Sequence, residues 1–422
     1  MLKLNTVAVF LKYSTKKSYC TVTILLLFVI YYGININNIK NEYRLNILDG
    51  EEIITTTDRV KKEPDEFSDM RYILLWSDPE HCPFNYLGEG RATFKERNCS
   101  WTNCYVTSDR NHLGDYTEFE AVAFNGPDLP DLRSRNDLPK RRSPRQKYMY
   151  VNIESAATYP VCTKSWDFYF NWTWTYRLDS DLVWKYFVIR NSSDHVIGPS
   201  ESVAWTREAD MEDIDEALKE KLKSKKKAAA WFVSNCDTQS LREDVVKQIR
   251  EYTRAFNLVV DIYGECGELS CPKPTMRECL KILEKNYYFY FAFENSLSDD
   301  YVTEKVLHAL NHNTVPVVYG GADYKRFLPP GSYLDARELG PRRLVETMRN
   351  VIRSPDAYHS FFRWKQLYRF EQSDARAATD VRCELCAALN GAGERRRGAY
   401  ARFQQWWTPH TSCRNVFVVK IH

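Results

Sequence analysis

Apolar residues gather along this chain into short runs separated by polar, Pro- and Gly-containing stretches, the pattern of strands joined by helices and loops. The clearest unit begins at Tyr287. Tyr287 to Phe293 is an aromatic run bounded by polar residues and predicts a buried strand; Thr303 to Leu310 predicts a helix; Val315 to Tyr319, ahead of Gly320 and Gly321, predicts a second strand. Such a βαβ unit is built for a parallel sheet whose ligands sit at the strand ends. Upstream, Tyr72 to Trp76, Glu120 to Phe124 and Lys147 to Ile153 predict strands of a first Rossmann-like α/β region, and Ala228 to Ser234 and Val259 to Tyr263 predict the opening strands of a second. Helices are expected over 210–227, 339–352 and 358–370, the last aromatic and basic and packed back onto the first region. The aromatic stretch from Arg402 to Asn415 carries no interpretable motif.

One segment breaks this pattern. Ser18 to Ile39 carries no charge, is apolar from Val22 to Tyr32, and follows Lys12, Lys16 and Lys17. A span near 20 residues crosses a bilayer and positive flanks stay cytoplasmic, so the expectation is a cytoplasmic tail (1–17), an uncleaved type II anchor (18–39) and a polar stem (40–70). A cleaved signal peptide is the alternative, but no small-x-small cleavage site follows.

Composition narrows the class. The chain has 422 residues, enough for two domains, and 59 basic against 56 acidic residues give a net charge of +3, too balanced to argue for nucleic acid as a partner. Lys225 to Lys227 and Arg395 to Arg397 read as solvated faces. Twelve cysteines, of which Cys20 lies in the apolar segment, leave an odd eleven beyond it, so at least one thiol stays free or pairs outside the chain. Cys383 and Cys386 form a Cys-x-x-Cys that reads as a local disulfide, and Cys266, Cys271 and Cys279 as staples of the loop after the 259–263 strand. Sequons at Asn98, Asn171 and Asn191 fit the same oxidising lumen.

Candidate chemistry concentrates in the turn from Glu294 to Lys305. A helix start offers unpaired N–H groups to a phosphate, with Lys305 as counter-charge and Glu304 as acceptor for ribose hydroxyls; a capped, solvated helix would look the same. Glu154 ends the 147–153 strand, where substrates bind in α/β sheets, although a strand-terminal charge is commonplace. Arg242, in the first turn of a helix after a strand, has the reach for a bidentate contact to a diphosphate.

The run Phe291 to Ser296 (Phe-Ala-Phe-Glu-Asn-Ser), Asp300 to Lys305 (Asp-Tyr-Val-Thr-Glu-Lys) and Val315 to Gly320 strongly resembles the signature of the α-1,3-fucosyltransferases of glycosyltransferase family 10. Phe170 to Asp181 resembles a second block of that family. Cys236, the run Gly264 to Gly267 and Cys271 make the chain most similar to the insect C-type members. Two positions depart from the family pattern: Ala156 replaces the usual Pro after Asn-x-Glu-Ser, and Asn311-His312-Asn313 replaces a Gly-containing helix end.

The resemblance implies a GT-B fold, two Rossmann-like domains facing a cleft, with acceptor binding in 71–210, GDP-fucose binding in 223–372 and a C-terminal extension over 373–422. It implies inverting transfer of L-fucose from GDP-β-L-fucose to a GlcNAc, or GalNAc-GlcNAc, unit of a glycoprotein or glycolipid. Glu154 takes the role of catalytic base, and Ser234, Asn235, Arg242, Tyr290, Asn295, Tyr301, Glu304 and Lys305 line the donor site. Arg177 and Asp179 read as a structural ion pair, and Trp172 and Trp174 as core. Asp179-Ser180-Asp181 has the spacing of a metal motif but lies in the acceptor half, so no obligatory cofactor or fixed metal site is expected, only a divalent cation as stimulant. The resemblance places the enzyme in the Golgi membrane with its catalytic part lumenal. Two other readings compete: a relative that binds glycan or GDP-fucose without reaction, and a dehydrogenase, which the lack of Gly-x-Gly-x-x-Gly after any strand disfavours.

Overall fold

The structure is a computed structural model that describes residues 69–393, 398–408 and 413. The expected tail, anchor and nearly all of the stem, with Cys20 and the Arg395 to Arg397 cluster, lie outside the described residues. Among the described residues no helix is long and apolar enough to cross a membrane.

Two parallel sheets organise the chain. The first has the order β2-β1-β3-β4-β5-β6, from β1 (Arg71–Leu75), β2 (Cys104–Thr107), β3 (Ala121–Asn125), β4 (Lys147–Asn152), β5 (Trp172–Thr175) and β6 (Leu182–Val183). The second has the order β10-β9-β11-β12-β13, from β9 (Lys227–Phe232), β10 (Val260–Tyr263), β11 (Tyr287–Phe293), β12 (Val315–Tyr319) and β13 (Leu334–Asp335). The α/β expectation and the predicted strands are thereby met to within one or two residues.

The pleat explains the apolar runs. Phe289, Phe291 and Phe293 of β11 enter one core with the helices Arg242–Ala255 and Ala336–Arg353, and Tyr290 and Ala292 enter another with Lys305–Leu310. On β4, Met149 and Val151 face one way and Tyr148 and Tyr150 the other. A parallel strand covered on both faces needs apolar residues at every position, which is how these runs read. In each sheet the strand order reverses beside the first strand, between β1 and β3 and between β9 and β11, and ligands of such sheets bind beyond the carboxyl ends at that reversal.

Several expectations are corrected. The stretch 358–370 is not one helix: Pro355–Ser360 is helical, and Tyr368–Gln372 forms β14, which pairs antiparallel with β7 (Phe187–Asn191). With β8 (Val196–Gly198) they form a three-stranded sheet, so this segment does return to the first region, but through a ladder. The helix expected over 210–227 is confined to Glu216–Leu222, capped by the Asp215 carboxylate on the Leu218 N–H at 2.7 Å. Lys225 is no solvated side chain. It is buried, with Nζ donating to the Glu284 carbonyl and to Thr314 Oγ1.

The cysteines pair over long range. Cys99 bonds Cys383 and Cys104 bonds Cys386, so the Cys-x-x-Cys is not a local disulfide. Both cysteines lie on the helix Val381–Leu389, and residues three apart on a helix face the same neighbour, here β2 and the segment before it. Cys266 pairs with Cys236, Cys271 with Cys279 and Cys162 with Cys413, leaving Cys82 as the free thiol among the described residues. The uninterpreted C-terminus covers the first sheet: Val381–Leu389 packs on one face and Phe403–Trp407 on the other.

Of the sequon residues, Asn98 is exposed and Asn191 sits at the end of β7. Asn171 is half-buried, its Oδ1 accepting the Tyr148 N–H at 2.9 Å. Trp172 and Trp174 are core, and Arg177 pairs with Asp179 through two bonds of 2.9 and 3.0 Å.

Candidate active site

Glu154 lies two residues past β4, half-buried, and its N–H donates to Asn152 Oδ1 at 2.9 Å. Its carboxylate Oε2 accepts the Tyr301 hydroxyl at 3.1 Å. Tyr301 belongs to the signature turn after β11, so this bond joins the carboxyl end of a strand in one sheet to that of a strand in the other. Tyr186, whose hydroxyl donates to the Ile153 carbonyl at 2.7 Å, packs edge-on against Tyr301. Burial first, and then the Glu154 carboxylate among their neighbours, hold both phenols well above their ordinary pKa, so they remain donors.

The loop after Glu154 is tied at further points to the turn from Glu294 to Tyr301 and to the loop that follows β9. Ser296 Oγ donates to Ser155 Oγ at 2.5 Å, the Ala157 N–H to Ser298 Oγ at 3.1 Å, and Gln239 Nε2 to the Ala157 carbonyl at 2.9 Å. Asp300, at φ 58° and buried, accepts the Leu178 N–H at 3.1 Å and pairs with Arg326 at 2.5 Å. Gly321 closes the arrangement. A Cβ there would come within 2.5 Å of the Ser298 nitrogen and 2.7 Å of its oxygen, so only glycine lets the end of β12 approach the turn this closely.

At the hub of the turn lies a residue to which the sequence assigned no role. Glu294 is 1% exposed, and its carboxylate accepts the Thr303 N–H at 2.9 Å, the Thr303 hydroxyl at 3.0 Å and Lys305 Nζ at 2.9 Å. The N–H expected to bind phosphate is thus satisfied from within the chain. Burial pushes the Lys305 ammonium down and the Glu294 and Glu304 carboxylates more than reverse it, so its pKa lies above the ordinary lysine value. Glu304, about half exposed, lies 3.8 Å from Lys305 Nζ. One turn on, burial lowers the His308 imidazole to about 4, so it is neutral at ordinary pH.

Two predicted donor residues have other duties. Arg242 is buried; its guanidinium donates to the Phe293 carbonyl at 2.8 Å and the Asn235 carbonyl at 3.1 Å, and it pairs with Glu243 at 3.2 Å. It ties the carboxyl ends of β9 and β11 together rather than offering a free fork. Tyr290 is also buried, its ring against Phe232 and its hydroxyl 3.3 Å from His308 Nδ1, so it is a core residue behind the turn. Ser234 and Asn235 are exposed just beyond β9, and Asn295 follows β11, so these three flank the reversal of strand order. Asn295 Oδ1 is buried without a hydrogen-bond partner among the described residues, and a buried acceptor of that kind calls for a donor.

Among the described residues no group of three or more His, Cys, Asp or Glu side chains is placed to hold a metal ion. Asp179 is engaged by Arg177 and Trp406, and Asp181 by Thr173 and Tyr400.

Residues 68–187 match the N-terminal domain of fucosyltransferases, and residues 222–406 the C-terminal domain of glycosyltransferase family 10 (fucosyltransferase). The chain is 35% identical over 368 residues to alpha-(1,3)-fucosyltransferase C of Drosophila melanogaster, covering 86% of this chain and 80% of that protein. The chain belongs to the fucosyltransferase family. It is therefore a glycosyltransferase. Another relative, glycoprotein 3-alpha-L-fucosyltransferase A of Drosophila melanogaster, is 33% identical over 348 residues, covering 80% of this chain and 60% of the relative. A solved alpha1,3-fucosyltransferase structure with GDP-fucose aligns at a TM-score of 0.45 and 12% identity, covering 82% of this chain and 95% of that one.

Proposed function

We propose that this fucosyltransferase transfers L-fucose from GDP-β-L-fucose, with inversion, in α-1,3 linkage to a GlcNAc unit of a glycan, through a GT-B arrangement in which the two parallel sheets face one cleft. The observation that carries the reading is the Glu154–Tyr301 hydrogen bond, which brings the one carboxylate at the end of β4 to the signature turn of the second sheet. Tyr301 occupies one oxygen of Glu154, and the other makes no hydrogen bond among the described residues. That oxygen accepts the proton of the attacking hydroxyl as the new C–O bond forms and the bond from the anomeric carbon to the diphosphate breaks, its electron pair leaving with GDP. Ser234, Asn235, Asn295 and Glu304 form the donor face. Lys305 and Arg242 lend it positive charge against the departing diphosphate.

The relatives' names supply the linkage, and the uncharged Ser18 to Ile39 segment with its lysine-rich flank supports a type II anchor that holds the enzyme in a Golgi membrane. The test is a panel: labelled GDP-fucose with a core N-glycopeptide, LacNAc and LacdiNAc. Transfer to at least one, at C3 of GlcNAc, is expected. Binding of GDP-fucose with transfer to none would overturn the proposal in favour of a non-reacting relative.

A further inference from the structure

Residues 398–408 form a strap of backbone and aromatic side chains across the first sheet, and the contacts it makes converge on the loop behind Glu154. Tyr400 exchanges backbone hydrogen bonds with Phe168 and Phe170 at 2.7 and 2.8 Å, and its hydroxyl donates to Asp181 at 2.7 Å. The Gln404 N–H donates to Asp167 at 3.0 Å, and Trp406 Nε1 to Asp179 at 2.9 Å. These bonds fix where the next two residues fall. Trp407 Nε1 donates to the Tyr159 carbonyl and the Thr408 hydroxyl to the Val161 carbonyl, each at 2.8 Å.

The loop from Ser155 to Val161 contains no helix or strand; a turn pairs the Thr158 and Tyr159 N–H groups with the Ser155 carbonyl, and the groups at its two ends are satisfied from outside. The donors of Trp407 and Thr408 hold its far end. Its near end is held by Tyr176, whose hydroxyl accepts the Ala156 N–H at 2.9 Å. Tyr176 is in turn backed by the Trp407 ring at 5.8 Å and packs edge-on against Tyr301 at 4.9 Å. Trp407 is fully buried among Tyr150, Tyr176 and the loop. The Cys162–Cys413 disulfide then joins the residue after the loop to the chain beyond the strap.

We infer that this C-terminal strap positions the catalytic carboxylate: Trp407 and Thr408 pin the loop that follows Glu154, and Trp407 through Tyr176 sets the ring of Tyr301 that holds one Glu154 oxygen. The inference rests on the reading of Glu154 as the base. Trp407 touches neither substrate nor reacting atoms on this account; it is a positioning residue. Misplacement of a catalytic group by about 1 Å costs on the order of 100-fold in rate.

The test uses the full chain and reads GDP release from GDP-fucose with the panel acceptors, alongside thermal unfolding. Trp407→Phe and Thr408→Val keep most of the buried volume; the first removes the bond to the Tyr159 carbonyl and the second a hydroxyl shared between the Val161 and Gln404 carbonyls, so they fold even where Trp407→Ala does not. Each is expected to lower kcat about tenfold with the KM for GDP-fucose within twofold, and the pair together by about 100-fold. In a Glu154→Gln background, Trp407→Phe is expected to cause no further loss, because the group it positions has lost its basicity. Folded Trp407→Phe and Thr408→Val with wild-type kcat would overturn the inference, as would an undiminished tenfold loss in the Glu154→Gln background. Near-normal turnover of Glu154→Gln itself is a separate outcome, which removes the base assignment.

Discussion

Glu154→Gln is expected to lower turnover by about 10²- to 10⁴-fold while GDP affinity and thermal stability stay close to the parent values. The substitution keeps the side chain's shape and an oxygen for the Tyr301 hydroxyl, which lies 3.1 Å from the carboxylate. It removes only the capacity to take a proton from a sugar hydroxyl, a weak acid that cannot lose it unaided. Because Glu154 is half-buried and its backbone is held by Asn152, the fold does not depend on its charge. Turnover, calorimetric GDP affinity and melting temperature together decide the point. A variant that unfolds would make Glu154 structural, and one with near-normal turnover at saturating acceptor would move the base elsewhere.

The second large effect concerns stability. Lys305→Met is expected to destabilise the chain by about 3 kcal/mol, because it leaves the Glu294 carboxylate, 1% exposed, without its cation. Removing both charges with Glu294→Gln in the same chain is expected to recover most of that loss, since an isosteric polar or apolar pair often replaces a buried ion pair at little cost. Urea unfolding of the two single variants and the double variant measures the coupling directly. A Lys305→Met protein of unchanged stability that had lost only GDP affinity would return Lys305 to the role of a free phosphate ligand.

The sequence made the second sheet legible because its strands are buried on both faces and so read as unbroken apolar runs. Tyr287–Phe293 and Val315–Tyr319 appear as strands with the expected bounds. Tyr368–Gln372 was not legible. Its status as a strand is set by a partner far away in the chain, Phe187–Asn191, and an aromatic, basic run carries no period that distinguishes that pairing from a helix. The same holds for the disulfides: Cys383 and Cys386 look like a local pair until a helix turns both toward Cys99 and Cys104.

At the site, Glu154 and Tyr301 were singled out by motif, and their contact is a tertiary fact. For Lys305 and Arg242 composition shows a charge but not the buried carboxylate or the carbonyls that take it up. Glu294 stood in plain view at the end of an aromatic strand. Its role rests on burial beside Thr303 and Lys305, which the sequence does not show, and burial of a carboxylate is the least expected outcome for that residue type. Trp407 lies in the aromatic stretch that carries no interpretable motif, and only the fold shows that it backs the loop after Glu154.

In a direct displacement the proton-accepting carboxylate and the departing diphosphate act on opposite faces of the fucose ring, so the configuration of the product is decisive. With GDP-β-L-fucose as donor, the proton NMR spectrum of the isolated product should show an α-linked fucose from the first turnover onward. A β-linked product would mean retention, and with it the account of Glu154 as a base for direct displacement would be contradicted.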